Sequence, residues 1–232
     1  MINVKFLKKL LLILILACNT FAQGNYLDNN QSGFSVGFGF GTNSDVSALS
    51  GGIGYSVGGA YDLKFGIDRL SFDEGFTSND DLSSLNFNIG IEAYPIKQTR
   101  NDYPITFSVD FGYERANFSS DFLDLAKWDM TANYYHIGFN IYRKDKITPK
   151  TSIQPYCGFT YVMYNGKISD SFGGSEKYDD NTTVFNFGTS LLFFTANKSI
   201  FSTSIGISIN DENTTFNLGI SLIVPSKYWI FS

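Results

Sequence analysis

Segment after segment of this chain alternates large apolar residues with small polar ones. ITFSVDFGY sets Ile105, Phe107, Val109, Phe111 and Tyr113 on one face and Thr106, Ser108, Asp110 and Gly112 on the other. LNFNIGIEA does the same with Leu85, Phe87, Ile89, Ile91 and Ala93 against Asn86, Asn88, Gly90 and Glu92. A side-chain period of two belongs to the β-strand, because successive Cβ atoms point to opposite faces of a pleated sheet. The pattern returns around Ile137 and Phe159 and in STSIGISIN and FNLGISLIV near the end. The chain is therefore read as all-β. Its 23 Phe, 14 Tyr and 2 Trp against 5 Pro exclude intrinsic disorder.

The composition of the two faces decides what kind of β-protein this is. A water-soluble sandwich buries its apolar face and covers the other with Lys and Glu. Here the second face is mostly Gly, Ser, Thr and Asn, which suits a sheet turned inside out, with its apolar side against lipid and its polar side inward. Such a sheet must close on itself, since unpaired edge groups cannot rest in hydrocarbon. The expectation is an antiparallel up-and-down transmembrane β-barrel with strands over 33–41, 51–57, 61–71, 85–96, 104–116, 130–143, 152–165, 183–195, 199–209 and 215–224. That makes ten strands, with eight as the alternative. The least distinct boundary is at Gly58-Gly59-Ala60, because the apolar parity from Ile53 to Ile67 runs unbroken through it.

The N-terminus carries Lys5, Lys8 and Lys9, the apolar run LLLILILA over 10–17, and Thr20-Phe21-Ala22 with small residues at the −3 and −1 positions. This is the layout of a cleaved export signal, and the run is too short to span a bilayer as a helix. The chain divides into a signal peptide, 1–22, and one barrel domain, 23–232. Cleavage before Cys18, in Ile15-Leu16-Ala17-Cys18, is the alternative and would leave a lipid-anchored cysteine. Removing the leader takes the formal charge from −5 to −8, which excludes a nucleic-acid binder. Cys157 is then the one cysteine left, so no disulfide framework exists, and His136 is the only histidine, which excludes a histidine-rich metal site. No metal and no cofactor are expected.

Connections alternate between long and short. The long set holds 14 acids against Lys127, Lys167 and Lys177, a net of −11; the short set with the tail holds eight bases against Asp102 and Asp145, a net of +6. Length and charge thus mark two distinct ends. On these grounds the chain resembles the small outer-membrane β-barrel proteins of Gram-negative bacteria, the family of the outer-membrane protein beta-barrel domain. The resemblance covers the whole mature chain. It implies an outer-membrane location, long loops outside, both termini in the periplasm, and outer-membrane lipid and the assembly machinery as partners. The sequence ends IVPSKYWIFS, with Phe231 one short of the terminus, so the last strand recognised in assembly is read as the one bearing Phe216, Leu218, Ile220 and Leu222.

Lys64, Glu92, Asp110 and His136 share inward parity on four successive strands. Folding the hairpins symmetrically about their loops sets Lys64 opposite Glu92, Glu92 near Asp110, and Asp110 opposite His136, a lumen polar network of mutually partnered charges. The expected role is structural or surface-interacting, with a plugged or narrow polar lumen; a small diffusion porin is the alternative. An omptin-like outer-membrane protease is a remote one, since those ten-stranded barrels use Asp and His at the outer rim, whereas His136 lies well down its strand. No enzyme is expected. The acidic stretches SNDDLSS, with Asp80 and Asp81, and EKYDDN, with Asp179 and Asp180, read as solvated loops or as surfaces for cations and adhesive contacts, though neither has a complete calcium-binding spacing. The charge split predicts sidedness: an epitope tag at Gly173-Gly174 is labelled on intact cells and one beside Lys146 is not, and the reverse pattern inverts the barrel.

Overall fold

The structure, a computed structural model, describes residues 26–28, 30–73, 81–98 and 103–226. The leader with Cys18, Asp80 and the end at Phe231 lie outside these residues. The strands are β1 (Ser32–Thr42), β2 (Val46–Val57), β3 (Tyr61–Phe72), β4 (Ser83–Ile96), β5 (Thr106–Ser119), β6 (Trp128–Tyr142), β7 (Asp145–Thr148), β8 (Thr151–Asp170), β9 (Ser175–Phe194), β10 (Ile200–Ile209) and β11 (Thr214–Ser226), with one short helix, α1 (Asp121–Ala126). β7 is a four-residue segment that continues the β6–β8 ladder in the same register toward their turn.

The other ten strands form an up-and-down antiparallel barrel in which every chain neighbour is also a sheet neighbour. β6 pairs with β8, and β1 pairs with β11 from Ser32 opposite Ser226 to Thr42 opposite Phe216, which closes the ring. The ten-strand reading holds. The doubtful boundary at Gly58-Gly59 is a tight hairpin connection over 58–60, with Val57 opposite Tyr61: Gly58 and Gly59 have φ of 58° and 62°, and the Ala60 N–H donates to Val57 O at 3.0 Å. Positive φ at both central positions matches the twist of the flanking strands and is open to glycine at no steric cost. Strands tilt strongly, as the ladder row Ser56, Asp62, Glu92, Asp110, Gly138, Thr160, Val184 shows. It starts near the turn end of β2 and finishes on β9 beyond the last residue of β10.

Apolar side chains point outward all round the ring. Phe38, Ile53, Phe65, Phe87, Ile205 and Leu218 are each at least half exposed or close to it, at 58, 62, 50, 51, 55 and 52%. No water-soluble monomer carries such a belt, and in a bilayer it is the lipid face. Tyr113 and Tyr135 border it toward the loop end with rings 5.2 Å apart, the Tyr113 hydroxyl donating to Asn133 Oδ1 at 2.7 Å.

The lumen is not uniformly polar. Its loop end holds an apolar core in which Leu70, Leu82, Leu123, Met130, Ala132 and Val184 are essentially inaccessible. Two expected loops contribute to it. Within 117–129 the chain forms α1, whose N-cap Ser120 Oγ accepts from the Leu123 N–H at 3.2 Å and drives Leu123 into the core. Across 166–182 the expected loop is instead mostly strand, because Tyr164, Ile168, Tyr178 and Val184 keep packing inward and hold β8 and β9 in register to a four-residue tip. Asp179 and Asp180 therefore stand on β9, opposite Asn165 and Tyr164, and not in a loop.

The turn end is closed by the start of the chain. Leu27 is fully buried among Leu192, Ile200, Ile223 and Phe194, and the Tyr26 hydroxyl donates to Ser190 Oγ at 3.1 Å. Lys144 Nζ donates to Tyr26 O at 3.0 Å and lies over the Phe194 ring. Beside it Lys97 Nζ donates to Gly59 O at 2.6 Å, and burial pulls its pKa down to about 8. The apolar cap at the loop end is expected to carry much of the stability: Leu70→Ala costs about 2–5 kcal/mol in urea unfolding from lipid vesicles, whereas Leu125→Ala, exposed on α1, stays within about 0.5 kcal/mol.

Candidate functional site in the barrel lumen

Between the two caps lies the polar middle of the barrel, filled from one side. The lumen faces of β1 and β10 are almost entirely small, among them Gly37, Gly39, Ser202, Ser204 and Gly206, while β3 to β8 contribute the long polar and aromatic side chains. Six of the large residues lie against a glycine directly across the ladder. Lys64 stands opposite Gly90, Asn88 opposite Gly66, Asp110 opposite Gly138, His136 opposite Gly112, Asn140 opposite Gly158 and Tyr156 opposite Gly188. Tyr156 crosses far enough that its hydroxyl oxygen stands 2.5 Å from where a Cβ on Gly206 of the next strand would be. At all of these but Gly90, an added Cβ would collide with the side chain that faces it.

Glu92 is the node of the network. It is fully buried and accepts three hydrogen bonds, from Lys64 Nζ at 2.5 Å, Ser108 Oγ at 2.5 Å and the Tyr142 hydroxyl at 2.9 Å. Its neighbour Asp110 accepts from Asn140 Nδ2 at 2.9 Å, and His136 Nε2 lies 3.6 Å from Asp110 Oδ2. All four residues expected in the lumen are there and together, but two of the three expected pairings differ in register. Lys64 faces Gly90 and Asp110 faces Gly138; the partners meet on the diagonal, two residues along, because long side chains lean along the strand to fill the space over the glycine. Only Glu92 and Asp110 are directly opposite.

Three further lumen acids carry the same inward parity in the sequence and were not part of the expected network. Asp62 accepts from Ser56 Oγ at 2.5 Å and the Tyr94 hydroxyl at 2.8 Å; Asp68 accepts from Asn88 Nδ2 at 2.6 Å; Glu114 accepts from Asn86 Nδ2 at 2.6 Å. The signal that finds them is even numbering on β3 and β5. A cavity of about 80 Å³ bordered by Lys64, Glu92, Asp110, His136, Gln154 and Tyr156 sits within this region, with room for a few water molecules.

The surface acids are not gathered into one site. Asp81 is exposed just before β4, while Asp179 and Asp180 are on β9, four strands round the ring. Among the described residues no three His, Cys, Asp or Glu side chains come together as a metal-binding group. Cys157 is exposed on the lipid side, as its parity requires.

No protein-family model matches the chain, and no curated protein matches its sequence. Solved structures do resemble it. The translocator domain of the autotransporter NalP from Neisseria meningitidis is 10% identical over 86% of this chain and 89% of that one, with a TM-score of 0.50. Ail, the attachment invasion locus protein of Yersinia pestis, is 14% identical over 85% of this chain and 99% of that one, with a TM-score of 0.42. The N-terminal β-barrel domain of Pseudomonas aeruginosa OprF is 9% identical over 85% and 99%, with a TM-score of 0.33. Together with its closed ring of ten strands and its lipid-facing belt, the likeness to the NalP translocator domain gives the chain the fold of the outer-membrane β-barrel proteins.

Proposed function

We propose that this protein is an exported outer-membrane barrel with a structural or surface-interaction role, whose lumen is closed and which catalyses no reaction. The observation that carries this reading is closure at three levels: the apolar core with Leu123 at the loop end, the Glu92 network in the middle, and Leu27 at the turn end. Side chains fill each level, apolar at the two ends and hydrogen-bonded around Glu92 in the middle, which is how a small barrel closes its interior. The pairing of His136 with Asp110 lies inside these caps, so a polymeric substrate has no route to it, which speaks against protease chemistry. The partners implied are outer-membrane lipid around the belt and the assembly machinery that inserts such barrels, with the acidic loops outside and both termini in the periplasm.

The test is electrical. The purified protein in a planar bilayer should show no open-channel steps, and steady steps would replace this reading with a diffusion pore. Stability gives a second check. Lys64→Met strands Glu92 and Asp110 in a confined space, and removing one partner of a buried ion pair costs about 3–5 kcal/mol in urea unfolding from vesicles; a wet, open lumen would screen the loss to about 0–1 kcal/mol.

A further inference from the structure

β9 is two strands in one. Its turn-end half pairs with β10, and that ladder stops where Phe185 meets Ile209. Residues 175–184 run on, laddered to β8 from Val184 opposite Thr160 to Ser175 opposite Ser169. Among the described residues no strand lies along their other edge. The tilt of the barrel causes this, since β9 is carried past the end of β10 before the apolar lumen face that supports it ends.

The direction of the free backbone groups follows from the hairpin. The Phe194 N–H donates to Lys150 O on the β8 side, whereas the Thr195 N–H donates to Ser199 O on the β10 side. Neither ladder shifts register along β9. In an antiparallel sheet the N–H and C=O of one residue point the same way and those of the next the other way. Lys177, Asp179, Asn181 and Thr183 therefore turn their backbone groups toward the open side. The Asn181 N–H shows it directly: it is taken by Asp180 Oδ1 at 2.9 Å and not by a strand.

An exposed edge of ten residues invites another strand. Within 175–184 there is no proline and no bulge to blunt it. Charge then selects the guest. Glu176, Asp179 and Asp180 stand on the edge against Lys177, and Asp211 and Glu212 follow Ile209 in the turn beside it; Asp180 and Glu212 both act on the Tyr164 hydroxyl. A second copy of this chain fits badly, because self-pairing must oppose odd residues to odd and, about the middle of the segment, sets Asp179 against Asp179 or Asp180 against Asp180 of the other copy. Asp179 and Asp180 point to opposite faces, so a complementary strand carries basic residues at two adjacent positions.

We propose that the free edge of β9, residues 175–184, captures an extended cationic segment of another protein by strand addition, with backbone hydrogen bonds supplying affinity and Asp179 and Asp180 supplying selectivity. This rests on the surface-interaction role and names the partner's chemistry; it is tested without reference to conductance, so failure of the closed-lumen reading leaves it standing and its own failure leaves the closed lumen standing.

The probe is a fluorescein-labelled peptide of about ten Val, Thr and Lys residues with two adjacent central lysines, titrated by anisotropy at about 0.15 M salt against the full mature protein in lipid vesicles. Binding is expected, with loss of about tenfold in affinity when alternate peptide amides are N-methylated, which keeps the charge and removes strand pairing. Asn181→Pro should weaken binding by a similar factor; its N–H takes no part in the β8 ladder, so the variant should keep the heat-dependent gel shift of the folded barrel. If that variant fails to fold, the N-methylated peptide decides the matter on wild type alone. Asp179→Asn with Asp180→Asn should weaken the lysine peptide and spare a neutral one. Equal binding of the N-methylated peptide, no binding to wild type, or a wild-type dimer that takes up the edge itself would each overturn the proposal.

Discussion

The ladder between β1 and β11 is what allows this polypeptide to rest in hydrocarbon at all. Every backbone N–H and C=O at membrane depth needs a partner, and ten strands supply them only when the first and last join. Closure then creates a second demand, because a ring of ten encloses a space that side chains must fill or water will occupy. The chain meets it with one device used repeatedly. A long lumen residue on one strand lies over a glycine on the next, as His136 over Gly112 and Asp110 over Gly138, so the filling is set by strand register and not by loops folded inward.

That device explains why charge sits where it does. Lys64 reaches Glu92 because Gly90, directly opposite, leaves the diagonal open. Burial of the carboxylate is offset by three donors, and a charge so thoroughly satisfied is a structural element before it is a chemical one. The apolar core at the loop end is the complementary solution. At the loop end, inward-facing leucine, methionine and tyrosine make an ordinary hydrophobic core.

Much of this was legible in the sequence because the β-period is an integer. Parity alone assigns Lys64, Glu92, Asp110 and His136 to the lumen and Cys157 to the lipid side, and one wrong step would have moved all of them together. What parity cannot give is register along the ladder. Symmetric folding about loop midpoints misplaces Lys64 and His136 by two residues, since the loop lengths that fix register depend on how far each hairpin stays paired. For β8 and β9 that distance is set by Tyr164, Ile168 and Tyr178 finding a core at the loop end, a tertiary effect hidden in a stretch whose Gly173-Gly174 and paired aspartates read as loop. The short helix at Leu123 was hidden likewise, its six residues too few to show a period. Asp62, Asp68 and Glu114 were equally readable by parity, and only their partners required the fold.

The placement of Leu27 bears on the order in which this barrel can be completed. Its pocket is made by Leu192, Ile200 and Ile223, on the last three strands of the chain, yet Leu27 itself precedes the first. During synthesis and insertion the guest is made long before its host. Residues 26–28 can settle into the barrel only after β11 has arrived beside β1, so their docking acts as a latch thrown last. A seam that opens must first expel a fully buried leucine, and the joint between the two ends of the chain is thereby held kinetically as well as by its ladder.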